Sequence, residues 1–301
     1  MTPGLPPVTR DAGGVSLADQ GLAATRVTSA TGPPHPLWYE GCFTAPSPTN
    51  APEPRMIVVE DTTGPNGPHP VLAVTGLARE ARLAAGPGVA TVGAGGNPER
   101  LRDLLKGRSG PGCRAVMSIG IAGGLDPDLA PGDVVVATGV VAGGQRLTAH
   151  PQVVAALARK LADAPARIVQ ADVAGVEAAV LSPHAKARLR AETGAAAVDM
   201  ESQVAAAFAE AHGLPFCAVR VVCDPADRAL PAAIAKALKP DGEPDILAVL
   251  SALARRSASV GGLVRLARDS SAAFASLGRC RALLGVGLGV PDLGELLRDV
   301  A

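Results

Sequence analysis

Two acids flank a methionine in the run "AAAVDMESQVAAAFAEAHGLP", where an apolar strand-like stretch gives way to a helical one. Asp199 and Glu201 stand there, and Asp224 ends the apolar run "AVRVVCD". An ionised carboxylate beside a core costs free energy unless something holds it. A partly buried carboxyl has its pKa raised and serves as a general acid near neutrality, which suits Asp224. The same aspartate also reads as the N-cap of a helix that follows Pro225. Glu201 begins a helix, whose dipole favours its charge and makes it a fixed acceptor for hydroxyl groups. Asp199 can satisfy nearby backbone donors. Capping explains one acid of the pair but not both.

Glycines mark the other candidates. In "GIAGGLDPDLAPGDVVV", Gly123 and Gly124 let a ligand lie flat against the backbone, and Pro131-Gly132-Asp133 turns into the next strand. The run "VGAGGNPERL" approximates a dinucleotide fingerprint, but Pro98 stands where the third glycine belongs. Such a turn before a helix can still cradle an anion or a sugar. "VMSIGIAGG" is not a nucleophile elbow, because Val116 replaces the required glycine. The five cysteines, Cys42, Cys113, Cys217, Cys223 and Cys280, show no metal-ligand spacing, and the histidines are dispersed. No metal site and no disulfide framework are expected.

The elements that must position these residues follow a regular pattern. Residues 1–68 are rich in Pro, Gly, Thr and Ser without periodicity, which predicts a disordered extension. Within it, "MIVVED" from Met56 is strand-like, and Met56 is an alternative start. From Val71, short apolar strands alternate with helices: "VLAVTGL", "AREARLAA", "VATVGAGG", "NPERLRDLLKG", "CRAVMSIGIAGG" and "GDVVVATGVV". A helix over Pro151–Ala162, strands "ARIVQADVAGV" and "AAVLS", and a helix capped by Ser182-Pro183 come next. Then "AAAVDM" reads as strand, "ESQVAAAFAEAHG" as helix and "PFCAVRVVCD" as strand. Helices are predicted near Pro231–Leu238, Asp245–Arg255 and Gly262–Leu277. This is an α/β chain with a three-layer αβα arrangement and a mostly parallel central mixed sheet. Ligands in such sheets sit at the carboxyl ends of strands, where all the candidates fall. The expected division is an extension over 1–68, one α/β domain over 69–280 and a tail over 281–301.

Bulk properties exclude several classes. The 28 basic and 28 acidic residues balance, unlike the basic excess of nucleic-acid binders. No run approaches the ~18 apolar residues of a membrane span, and no signal peptide is apparent. A soluble, cytoplasmic protein is expected. Aromatic residues make up 2%, so the core must be built from Ala, Val, Leu and Ile.

Taken together and in order, "GIAGGLDPDLAPGDVVV", "VDMES" and "VRVVCDPAD" resemble the nucleoside phosphorylase and nucleosidase superfamily, over about Val71 to Leu277. Methylthioadenosine/S-adenosylhomocysteine nucleosidases carry similar segments. The runs "VTGLAREARLA", "GAGGNPERL", "GLDPDLAPGD", "GLPF" and "ALPAAIAKAL" further resemble the hopanoid-associated phosphorylase branch, which removes adenine from adenosylhopane. The resemblance implies that Asp224 acts on N7 of the purine as it leaves and that Glu201 holds the ribose hydroxyls. It places Met200 under the sugar, Ala122 and Gly123 beside the base with Phe216 completing that pocket, and Gly76 in the first loop.

For the attacking group the resemblance leaves two readings. Phosphate as co-substrate would meet Gly76, Arg79 (or Arg82) and Ser118, with Ile121 in place of a second phosphate ligand. Water would be activated by Glu80, which lies near the position of the hydrolases' glutamate. Phosphorolysis is the first expectation, hydrolysis of an adenosine thioether the second, and a non-catalytic nucleoside sensor the third. No cofactor is implied, and relatives assemble as homo-oligomers. A hopanoid 5′ group needs an apolar groove or a lipid surface at the inner membrane. The amphipathic segments "ILAVLSALARR" and "LVRLARDSSAAFASL" would supply it, or would simply pack on the sheet.

Overall fold

The computed structural model describes residues 69–108, 112–230 and 260–293, all within a unit spanning Pro52–Ala301. The elements are β1 (Val71–Thr75), α1 (Ala78–Ala84), β2 (Val89–Gly93), α2 (Pro98–Lys106), β3 (Ala115–Gly124), β4 (Val134–Ala142) and β5 (Gln145–Thr148). They continue with α3 (Pro151–Leu161), β6 (Ile168–Gly175), α4 (Pro183–Thr193), β7 (Ala197–Asp199), α5 (Ser202–Ala211), β8 (Phe216–Asp224) and α6 (Val260–Leu284). A 3-10 turn, Val286–Gly289, follows.

Local chemistry sets the boundaries. Asn97 Oδ1 accepts from Arg100 N at 3.0 Å and Pro98 opens α2, since proline's missing N–H costs nothing in a first turn. Ser182 does the same for α4, which stops at Gly194 in the left-handed region. All nine residues of β8 are buried, so helices cover both of its faces. On one side α6 packs on β8 and meets α1 and α3, while α5 lies against β3 and β8 with α2 behind it.

The mixed α/β architecture expected from the sequence is present, and the strand pairing adds a closure. β8 pairs in parallel with β3 and antiparallel with β4; β4 pairs with β6, β6 with β7, and β7 antiparallel with the end of β3. These five strands form a closed ring, with β1 and β2 continuing outward from β3 and β5 from β4.

Three sequence expectations change. "AAVLS" is not a strand; the segment after β6 is irregular. The hairpin β4–β5 was not foreseen, because "QRLT" is polar and its turn rests on Gly143 and Gly144, both at positive φ. The boundary expected at 280 falls inside α6, and Leu284, Leu288 and Val290 beyond it are buried in the core. The predicted extension over 1–68 and the helices at 231–238 and 245–255 lie outside the described residues.

Candidate active site

The parallel strands β1, β3 and β8 run towards one edge, and the candidate residues converge there on a cavity of about 210 Å³. Gly76 and Glu80 come from the loop and helix after β1, and Ala122 and Gly123 from the end of β3. Met200 and Glu201 come from the β7–α5 joint, and Asp224 from the end of β8. A bulge aims the last of these. Ala122 pairs with Val222 but Gly123 pairs with Asp224, so β8 gains one residue. Alternation is broken there, and Cys223 and Asp224 both face the cavity.

Glu80 ties two strands together. Its Oε2 accepts from Gly76 N at 2.8 Å and Leu77 N at 2.7 Å, and its Oε1 accepts from Ile121 N at 2.8 Å. Glycines make room for the acids. A Cβ on Gly76 would lie 2.7 Å from Glu201 Oε1, and one on Gly120 would lie 2.6 Å from Glu80 Oε1 and 2.8 Å from Arg220 Nη1. Asp199 caps α5, accepting from Glu201 N at 3.1 Å and Ser202 N at 2.8 Å.

Arg220, absent from the candidates named from sequence, is the fully buried cation beneath these groups. Its Nε lies 2.5 Å from Asp199 Oδ2 and its Nη2 3.6 Å from Glu201 Oε2. It also donates to the Ser118 and Ser202 hydroxyls. A second cation, Lys186 of α4, lies 2.6 Å from Asp224 Oδ2.

Several expected residues do not reach the cavity. Phe216 opens β8, whose nine residues span about 26 Å at ~3.3 Å each, so it sits at the opposite end from Asp224. The ligand edge of a parallel sheet is the carboxyl edge, and Phe216 lies at the other. Ser118 is fully buried and occupied by Arg220. Arg79 points out of α1 and stacks on Phe274, 4.1 Å from the ring centroid. Among the described residues that line the cavity there is no Lys or Arg side chain. None of the described His, Cys, Asp or Glu residues form a group of three that could hold a metal.

Burial pushes Glu201 up to about 8, with Asp199 and Glu80 adding to the rise and Arg220 opposing it. Burial also raises Glu80 against the pull of Arg220, and raises Asp224 against that of Lys186. Folded Glu201 therefore holds a proton that the unfolded chain releases above its ordinary pKa, near 4.5. The stability this contributes is complete below that value and is lost as pH rises towards 8. The melting temperature is expected to fall between about pH 5 and pH 8, and Glu201→Gln to flatten the slope. A melting temperature that rises across this window would contradict the burial of these acids.

A mixed sheet closed on itself, with an acidic cavity at its strand ends, defines the class of site. The model of the Phosphorylase superfamily matches residues 57–259, and the chain belongs to that superfamily. Among solved structures, the methylthioadenosine/S-adenosylhomocysteine nucleosidase of Neisseria meningitidis, in complex with methylthio-immucillin-A, is 18% identical, with a TM-score of 0.51. The match covers 71% of this chain and 97% of that one. The Helicobacter pylori nucleosidase with butyl-thio-DADMe-Immucillin-A is 16% identical over 62% of this chain and 99% of its own, with a TM-score of 0.50. At these identities what is shared is the fold. No curated protein matches the chain.

Proposed function

We propose that the chain cleaves the N-glycosidic bond of an adenine nucleoside that carries an apolar 5′ substituent, with water as the attacking group. One observation carries this reading: four carboxyl groups, Glu80, Asp199, Glu201 and Asp224, line one cavity whose nearest cations among the described residues are already engaged. Cleavage passes through an oxocarbenium-like state, which an ionised carboxylate in the cavity stabilises. Asp224 protonates or hydrogen-bonds the purine nitrogen, making adenine a better leaving group. Glu201 accepts the ribose hydroxyls, with Met200 under the sugar. Glu80, between the β1 loop and β3, takes the proton of the attacking water.

Phosphate suits this cavity poorly. Gly76 N–H already donates to Glu80, the Ser118 hydroxyl accepts from Arg220 and Arg79 faces away. A phosphate dianion would instead lose its hydration in a cavity whose described lining offers no Lys or Arg, and desolvating an unpaired charge is costly. Hydrolysis therefore displaces phosphorolysis as the reading that the side chains favour. Val176, Ala179, Val180 and Leu230 line the same cavity with apolar surface. The hopanoid-type motifs support adenosylhopane as the substrate, and the ligands of the similar nucleosidases support smaller adenosine thioethers.

Incubating the pure protein with adenosylhopane and with methylthioadenosine, with and without phosphate, tests the proposal. Adenine should appear at the same rate in both conditions. Strict dependence on phosphate would refute water as nucleophile, and no adenine from either nucleoside would refute the enzyme reading.

A further inference from the structure

We propose that Lys186 is a positioning residue for Asp224, holding one carboxylate oxygen so that the other is presented to the purine. The proposal rests on the reading of Asp224 as the group that meets the base. Lys186 is the one buried residue of α4, a helix whose other side chains are exposed or partly exposed. A helix docked by one residue would ordinarily use an apolar side chain; a lysine is almost never fully buried unless paired. Its three N–H donors are all taken, by Asp224 Oδ2 at 2.6 Å, Asp224 O at 3.0 Å and Pro225 O at 2.8 Å. The ammonium thus grips the side chain and the backbone of the same residue. It fixes the carboxylate relative to the bulge that turns Asp224 towards the cavity.

Lys186 does not itself line the cavity, so it reaches a substrate only through Asp224. The charges around Asp224 are Lys186 from α4 and Asp269 from α6, with the Cys223 thiol beside it on β8 and Glu80 facing that thiol. Asp269 is paired with Arg228 at 3.1 Å. Burial and Asp269 favour the protonated acid; Lys186 opposes both and keeps Asp224 able to release its proton.

Lys186→Met, studied in the full chain, separates positioning from mere support. The expected result is a fall in kcat of at least about tenfold, with KM changed by less than about threefold. The alkaline limb of the pH–rate profile should move up by about one pH unit, because the acid now holds its proton more tightly. In the Asp224→Asn background, where the double variant leaves no unpaired buried charge, Lys186→Met should lower kcat no further. Lys186→Gln, which can still donate to the carbonyls, should fold like the wild type and show the same shift of the limb. Equal losses in both backgrounds with an unmoved pH profile would overturn the proposal. Wild-type protein that releases no adenine would overturn the reading of the site itself, and this proposal with it.

Discussion

Asp224→Asn is expected to lower adenine release by about a hundredfold or more, because proton donation to a leaving group contributes factors of roughly 10² to 10⁴. The substitution keeps the shape of the side chain. Asparagine still offers Lys186 a carbonyl oxygen, and the ammonium keeps its bonds to the backbone carbonyls of residues 224 and 225. What is lost is the proton and the anion. The backbone bonds keep helix α4 docked, but the buried ammonium loses its counter-charge, at a stability cost of about 3 kcal/mol. Turnover measured beside a thermal melt distinguishes the two effects. A variant that keeps turnover within about threefold of wild type would remove Asp224 from the chemistry.

Arg220→Met should have the largest effect on stability, about 3–5 kcal/mol, because it strips the partner from buried acids rather than removing the whole cluster. Asp199 loses its cation at 2.5 Å and Glu201 loses the one at 3.6 Å. The Ser118 and Ser202 hydroxyls lose a donor at the same time. Arg220 also lowers the proton affinity of Glu80 and Glu201. Without it both acids hold their protons more firmly, so the loss of stability should shrink as the pH falls and the carboxyls neutralise. Urea denaturation at about pH 5 and about pH 8 would show this as a larger deficit at the higher pH. A deficit below about 1 kcal/mol at both would mean that Arg220 is not what holds the acids in place.

The sequence announced most of the elements and the edge where they meet. Apolar strands at 115–124, 134–142 and 216–224 are long enough to be unmistakable, and Asn97 and Ser182 cap their helices as their types suggest. The acids at 199, 201 and 224 stood out because carboxylates interrupt apolar sequence. The same logic applies to Arg220, a charge inside "FCAVRVVC" that must find anions, and reading that strand for its interior charge would have found it. Lys186 carried no such signal. "PHAKARLRAET" looks like any solvated helix, and only the fold brings its one lysine under the end of β8. Phe216 was misplaced because direction matters: a residue at the start of a strand cannot serve a site at its end. The ring closure was hidden for a related reason, since β7 has only three residues and its pairing with both β3 and β6 is long-range.

Glu80 shows how a local role can conceal another. At the third position of α1 it reads as a helix-capping acid, and it does cap Leu77 N. Its second oxygen, however, reaches across to Ile121 N on β3, over the glycine whose missing Cβ leaves it room. That reach places a carboxyl group on the cavity wall, and under the proposed reading it is the reason water is favoured over phosphate.

The most direct test follows the oxygen. Turnover of an adenine nucleoside in ¹⁸O-labelled water containing phosphate, read by mass spectrometry of the sugar product, should give free sugar with one labelled oxygen at the anomeric carbon. An unlabelled sugar 1-phosphate would contradict it and return the attacking role to phosphate.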